Sequence, residues 1–152
     1  MINQYRKAVF IVTYSLEKNK IYYLVFKRKL HWRGWEFPKG GIEKNEKYFD
    51  AVKRELFEET SAIPLKIKKF NYKGSYLYKR KFPERPGFKG QFYFLYAAEI
   101  KKDKIKIDPR EHAEYKWLSF DNAIKMLTHQ NQKKCLKIVN NWLTRNERRK
   151  IL

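Results

Sequence analysis

GGIEKNEKYFDAVKRELFEETSA, residues 40–62, concentrates acidic side chains in a chain that is otherwise strongly basic, with 36 Lys and Arg against 16 Asp and Glu. Gly40 and Gly41 bar a regular helix at the start of the stretch, and Pro64 limits one beyond its end, so a short helix running to about Thr60 is expected. At about 100° per residue and with Glu55 as zero, Glu59 lies near +40° and Glu58 near −60°, while Phe49, Val52 and Leu56 fall at about 60° to 120°. The predicted helix therefore carries an apolar stripe for a core and an acidic stripe at its edge. Like charges at these spacings repel by roughly 0.2–0.5 kcal/mol per pair. A hard divalent cation, Mg²⁺ or Mn²⁺, would offset that repulsion through carboxylate oxygens. A solvated acidic face is the other reading of the same spacing.

Outward from this stretch, 152 residues with 43% hydrophobic and 17% aromatic content suit one domain, residues 1–152, with a substantial core. No run approaches the roughly 18 apolar residues of a membrane span, and MINQYRKAVF lacks the pattern of a signal peptide. A soluble, cytoplasmic protein with no membrane partner is expected. Cys135 is the single cysteine, which excludes an internal disulfide, and in KKCLKIVNNWL it reads as a small apolar residue of a helix face. The formal net charge of +20 would attract polyphosphates, nucleic acid or anionic surfaces. Lysines scattered along the whole chain fit a lysine-rich proteome equally well.

Apolar and β-branched residues over Lys7–Ser15 and Lys20–Lys27 predict a hairpin with LEKN as its turn. KLHWRGWEFPKGG, residues 29–41, reads as a loop with a short extended piece. Strands are expected at residues 65–78 and 91–100, separated by the basic loop KRKFPERPGFKG, with shorter ones at KIKID (104–108) and YKWLSF (115–120). Two helices close the chain, and in the second Leu136, Val139 and Leu143 recur at helical spacing.

Residues 40–62 resemble the Nudix box, G-x5-E-x7-R-E-U-x-E-E-x-G-U, where U is a bulky aliphatic residue. Gly40, Glu46, Arg54, Glu55, Leu56, Glu58 and Glu59 stand at the required intervals; Ser61 replaces the second glycine and Ala62 the last aliphatic. The resemblance implies an α/β fold, an α/β/α sandwich around a central mixed sheet. It also implies hydrolysis of a nucleoside diphosphate linked to another group. By the same resemblance Glu55, Glu58 and Glu59 would bind Mg²⁺ or Mn²⁺, Arg54 and Glu46 would pair to hold the loop on the helix, and Gly40 would allow the tight approach to that loop. Glycine at residue 61 would end the helix in a left-handed conformation, which serine adopts at a cost of about 1 kcal/mol.

The flanks bear on the substrate. WEFPKGGIE, residues 35–43, is similar to the W-x-F-P-K-G run of dinucleoside tetraphosphate hydrolases, which would place Trp35 and Lys39 at the substrate with the lysine facing phosphates. GFKGQFYFLYAAEI resembles an aromatic strand of those hydrolases and of RNA pyrophosphohydrolases. There Tyr93 is the candidate for stacking on a base, with Phe92 and Phe94 facing the core. The loop residues Lys79, Arg80, Lys81, Arg85 and Lys89 would clamp further phosphates or stay solvated. In PREHAEYKWLSF, Glu111 stands six residues before Trp117, the spacing that in RNA pyrophosphohydrolases puts a glutamate over the metals. It is the candidate general base or extra metal ligand, with Glu114 and Glu99 as alternatives, while His112 and His31 read as surface polar residues. The resemblance implies asymmetric cleavage of diadenosine tetraphosphate to ATP and AMP. The alternatives are removal of pyrophosphate from RNA 5′ ends, a nucleotide triphosphatase, and a non-catalytic nucleotide- or RNA-binding module. A monomer is expected, with a homodimer left open.

Overall fold

The structure, a computed structural model, describes residues 4–30, 32–79, 83 and 86–151, of which 146–151 are described by backbone alone. His31, Arg80, Lys81 and Arg85 lie outside the described residues. Strands β1 (Gln4–Glu17) and β2 (Lys20–Arg28) form the expected hairpin. Its turn is tighter than LEKN: Leu16 and Glu17 still pair with Ile21 and Lys20. Only Lys18 and Asn19 turn the chain, both with positive φ (49° and 63°), the two-residue geometry that matches strand twist.

Two three-residue strands occupy the segment read as a loop: β3 (Gly34–Glu36) pairs with β2, and β4 (Lys39–Gly41) with β1. Strands β5 (Lys66–Leu77), β6 (Phe88–Glu99) and β7 (His112–Leu118) complete a seven-stranded sheet whose main order is β3-β2-β1-β6-β5, with β7 on β2. The β1–β6 pair is parallel and the other pairs antiparallel, so the sheet is mixed as expected. Residues 104–108 form no strand. Pairing along β2 goes to β7 instead, and Ile105 packs on Leu24, Phe26 and Ile100 while its N–H donates to Tyr115 Oη at 3.2 Å.

Helix α1 (Tyr48–Thr60) covers one face of the sheet through Ala51, Val52 and Leu56, which pack on Val9, Ile11, Tyr96 and Ala98. Helices α2 (Phe120–Met126) and α3 (Gln130–Ile151) cover the other, where Cys135, Leu136, Val139 and Leu143 meet Ala8, Phe10, Val12 and Leu95. The result is an α/β/α sandwich. Each fully buried Val or Leu contributes about 1.5–3 kcal/mol. Phe49, expected in the α1 stripe, is instead 46% exposed and meets Tyr96 only edge-on. At +120° on the helix wheel it falls past the side that the sheet covers. Burial pushes the Cys135 thiol up to about 12, as suits an inert face residue. Among the described residues no helix is long and apolar enough to cross a membrane.

Candidate active site

Strand β4 and helix α1 meet where the glycines of the sequence motif need to be small. The Glu55 carboxyl fills the space that a Cβ on Gly40 would take, so residue 40 is glycine for room. Its φ is not positive, and the expected need for a tight approach to the loop is a need for space. Arg54 ties the loop to the helix. Its Nε and Nη2 grip Glu46 at 2.8 and 2.9 Å, Nη2 also donates to the Gly41 carbonyl at 2.9 Å, and Nη1 reaches Glu55 at 2.8 Å and Glu58 at 3.4 Å. The hydrogen bonds from Arg54 hold the Glu46 carboxyl below the usual carboxylate range. Glu46 also accepts from the Glu43 N–H at 3.0 Å. Ser61 ends α1 with φ 62°, the left-handed conformation, and its N–H donates to the Phe57 carbonyl at 2.8 Å.

The helix-wheel position of Glu59, between Glu55 and Leu56, turns it inward. It is 3% exposed, and its Oε2 has no hydrogen-bond partner. Ligand atoms of Glu59, Glu111 and His112 lie within 4.8 Å of one another. Behind them Glu36, wholly buried, receives His112 Nε2 at 2.8 Å and Arg28 Nη1 at 3.2 Å, with Lys39 Nζ at 3.6 Å. Arg28 also reaches Glu111 at 3.6 Å.

Burial opposes ionisation of Glu36, but Lys39, His112 and Arg28 outweigh it and draw its carboxyl down to about 2. The acids of α1 are not balanced in this way. Burial, augmented by Glu58 and Glu111 and resisted by Arg54, pushes Glu55 up to about 7. Burial and then Glu55, Glu36 and Glu111 push Glu59 well above the carboxylate range. Buried carboxyls short of positive charge, one with an orphaned oxygen, fit a divalent cation by the chemistry of the donor set. Lys39 loses charge stability to burial but regains more from Glu36, so its ammonium is held charged, flanked by the rings of Tyr76 at 5.4 Å and Trp32 at 5.8 Å.

The structure thus brings together Glu46, Arg54, Glu55, Glu58, Glu59 and Glu111, with Lys39 joined to them through Glu36. It does not bring Tyr93 to a base. Alternation along β6 is present, but Tyr93 takes the more buried face, 4% exposed, with its ring 5.6 Å from Phe10 and its hydroxyl filling the space over Gly74. The cleft it shares with Lys39 and Tyr76 holds about 10 Å³ at the depth of Tyr93, room for one water. Trp35 packs on the α3-side core with Lys116 Nζ 5.3 Å over its ring. Glu114 is exposed opposite Lys27, and Glu99 ends β6 opposite Lys66; neither joins the ligand-atom group of Glu111.

His112 is a correction of the opposite kind, 1% exposed where a surface residue was expected, its ring stacked 4.8 Å from Phe26. Arg28 and Glu36 were not singled out in the sequence. The available signals were a charge at the end of the apolar run IYYLVFKR and a glutamate between Trp35 and Phe37.

The sequence profile of the NUDIX domain matches residues 4–137. An RNA pyrophosphohydrolase of Bartonella henselae is 25% identical over 158 aligned positions, gaps included, that span 91% of this chain and 90% of that protein. An 8-oxo-dGTP diphosphatase of Buchnera aphidicola subsp. Schizaphis graminum is 32% identical over 115 residues, 74% of this chain and 77% of that one. Among solved structures, the Ap4A hydrolase of C. elegans superposes with a TM-score of 0.69 at 21% identity, covering 92% of this chain and 99% of its own. At that identity the likeness is one of fold.

Proposed function

The chain belongs to the Nudix family, and on that premise we propose that it hydrolyses a phosphoanhydride bond of a nucleoside polyphosphate with a bound divalent cation, Mg²⁺ or Mn²⁺. The observation that carries this reading is the buried, unpartnered carboxylate oxygen of Glu59 beside Glu111 at the inner edge of the α1 acids. Glu55, Glu58, Glu59 and Glu111 are the residues that would hold the cation. A cation there supplies Lewis acidity, drawing charge from the phosphate oxygens and easing loss of a proton from the attacking water.

The chain's own groups have separable tasks. Arg54, gripped by Glu46, fixes Glu55 and Glu58 on one side of the helix. Glu111, with a side chain 35% exposed, is open to solvent; one of its carboxylate oxygens would hold the cation and the other would take the proton of the attacking water as general base. Lys39 binds a phosphate oxygen as a point charge, oriented by Glu36. The two rings beside Lys39, Trp32 and Tyr76, offer stacking surfaces next to a polyphosphate and supply the aromatic contact first assigned to Tyr93.

The finer reading is asymmetric cleavage of diadenosine tetraphosphate to ATP and AMP, which Lys39 between two aromatic rings supports. Release of pyrophosphate from RNA 5′ ends is the second reading. It draws on the names of several curated relatives and on the α3-side face of β5. There Lys66 and Lys68 lie over Trp142 at 5.3 and 5.8 Å, and Lys134 lies over Tyr72 at 5.5 Å, a pairing of charge and aromatic surface suited to a single strand.

Equal concentrations of diadenosine tetraphosphate and a short 5′-triphosphorylated RNA, given to the protein with Mg²⁺ and then Mn²⁺, separate the readings by product. ATP plus AMP with intact RNA supports the first. Pyrophosphate plus monophosphorylated RNA, lost steeply as salt rises, supports the second. Silence on both leaves the binding module or another nucleotide.

A further inference from the structure

Building on the metal-dependent reading above, we propose that the cation site is a mixed carboxylate–imidazole site whose ligands include Glu59, Glu111 and His112. The imidazole would make the site favour first-row transition ions over Mg²⁺.

Three observations converge on His112. Its ligand atom lies within 4.8 Å of those of both glutamates. It is 1% exposed, yet Nδ1 has no hydrogen-bond partner, the same condition as Glu59 Oε2. Buried polar atoms are ordinarily satisfied, so two orphans in one small cluster point to a shared absent partner that accepts lone pairs. Finally, the ring is held in place: Nε2 is 2.8 Å from Glu36 Oε2, and the ring stacks on Phe26 with an interplanar angle of 28°. With Nε2–H donating to a carboxylate, the neutral ring carries its lone pair on Nδ1. A carboxylate behind an imidazole is the arrangement by which proteins orient a histidine ligand.

The remaining box acids share the positive charge of Arg54. Glu55 and Glu58 face Arg54 at 2.8 and 3.4 Å, whereas Glu59 has no such partner among the described residues. Glu111 is the solvent-facing member, its side chain 35% exposed, through which an ion reaches the buried pair. Mg²⁺ prefers an all-oxygen shell and keeps several waters, while imidazole suits first-row transition ions. Sequence spacing points to Glu59 and Glu111 but not to His112, because the three come from α1, the turn before β7 and β7 itself and meet only in the fold.

Pulsed EPR of Mn²⁺ bound to the protein tests the proposal without measuring activity. The expected result is nitrogen modulation that changes from ¹⁴N to ¹⁵N when only histidine is labelled, and that is absent in His112→Gln. In the same experiments Mn²⁺ affinity falls by about 10- to 100-fold in that variant while Mg²⁺ affinity moves less. The labelled wild-type arm needs no variant, so a poorly folded His112→Gln leaves the test intact. Mn²⁺ bound with no histidine nitrogen coupling overturns the mixed site but leaves metal-dependent hydrolysis standing. No Mn²⁺ or Mg²⁺ binding overturns both.

Discussion

The Glu55 carboxyl sits in the space over Gly40 that any side chain would need. Gly40→Ala is therefore expected to push Glu55 away from its place beside Arg54 while the sheet pairing of residue 40 with Val9 persists. Turnover should fall by roughly 10- to 100-fold, the cost of misplacing a site group by about an ångström. Steady-state kinetics beside an unchanged circular dichroism spectrum checks this.

Arg54 makes two parallel bonds to Glu46 and a third to the Gly41 carbonyl. A lysine cannot reproduce that fork. Arg54→Lys should lose about 1–2 kcal/mol in urea unfolding and lower kcat together with cation affinity, because Glu55 and Glu58 lose their common anchor.

Stability of the metal-free protein should depend on pH through Glu55. Its carboxyl is raised to about 7 in the fold from an ordinary value of 4.5, so between these pH values the native state binds more protons than the unfolded one. The corresponding stability is complete below about 4.5 and is lost as pH rises toward 7. A saturating divalent cation should abolish the slope and release protons on binding near pH 6, which calorimetry in buffers of different ionisation enthalpy detects.

Ser61 holds a left-handed conformation at the end of α1 and touches none of the carboxylates in any contact described. Ser61→Gly relieves that backbone at the expense of a freer unfolded chain, for a net gain of roughly 0.5–1 kcal/mol. Denaturant midpoints should rise with kcat unchanged.

Lys39→Gln tests the substrate reading. Removing the point charge should raise KM for diadenosine tetraphosphate by about tenfold or more. Arg28 still pairs with Glu36 and His112 still hydrogen-bonds it, so the fold should survive. An equal effect on triphosphorylated RNA would move the preference to the second reading.

The central hairpin, the flanking helices and the spacing of Glu46, Arg54, Glu55, Glu58 and Glu59 are legible in sequence because they rest on local periodicity and turn residues. The inward turn of Glu59 follows from its place on the helix wheel. What stayed hidden depends on strands that meet only in three dimensions. Arg28, Glu36 and His112 come from β2, β3 and β7, and each alone looks like a solvated polar residue; pairing of β2 with both other strands buries them together. Tyr93 was misread for a related reason. Both faces of β6 are covered by helices, so alternation could not say which face is deeper.

Turnover of diadenosine tetraphosphate by chelator-treated protein, with and without added Mn²⁺, and by Glu59→Gln under the same conditions, bears on the account most directly. Activity that appears only with the cation and falls by about 10³-fold or more in a folded Glu59→Gln is the predicted result. Hydrolysis that proceeds without a cation, or that survives Glu59→Gln, would contradict the assignment of the α1 acids as the metal site.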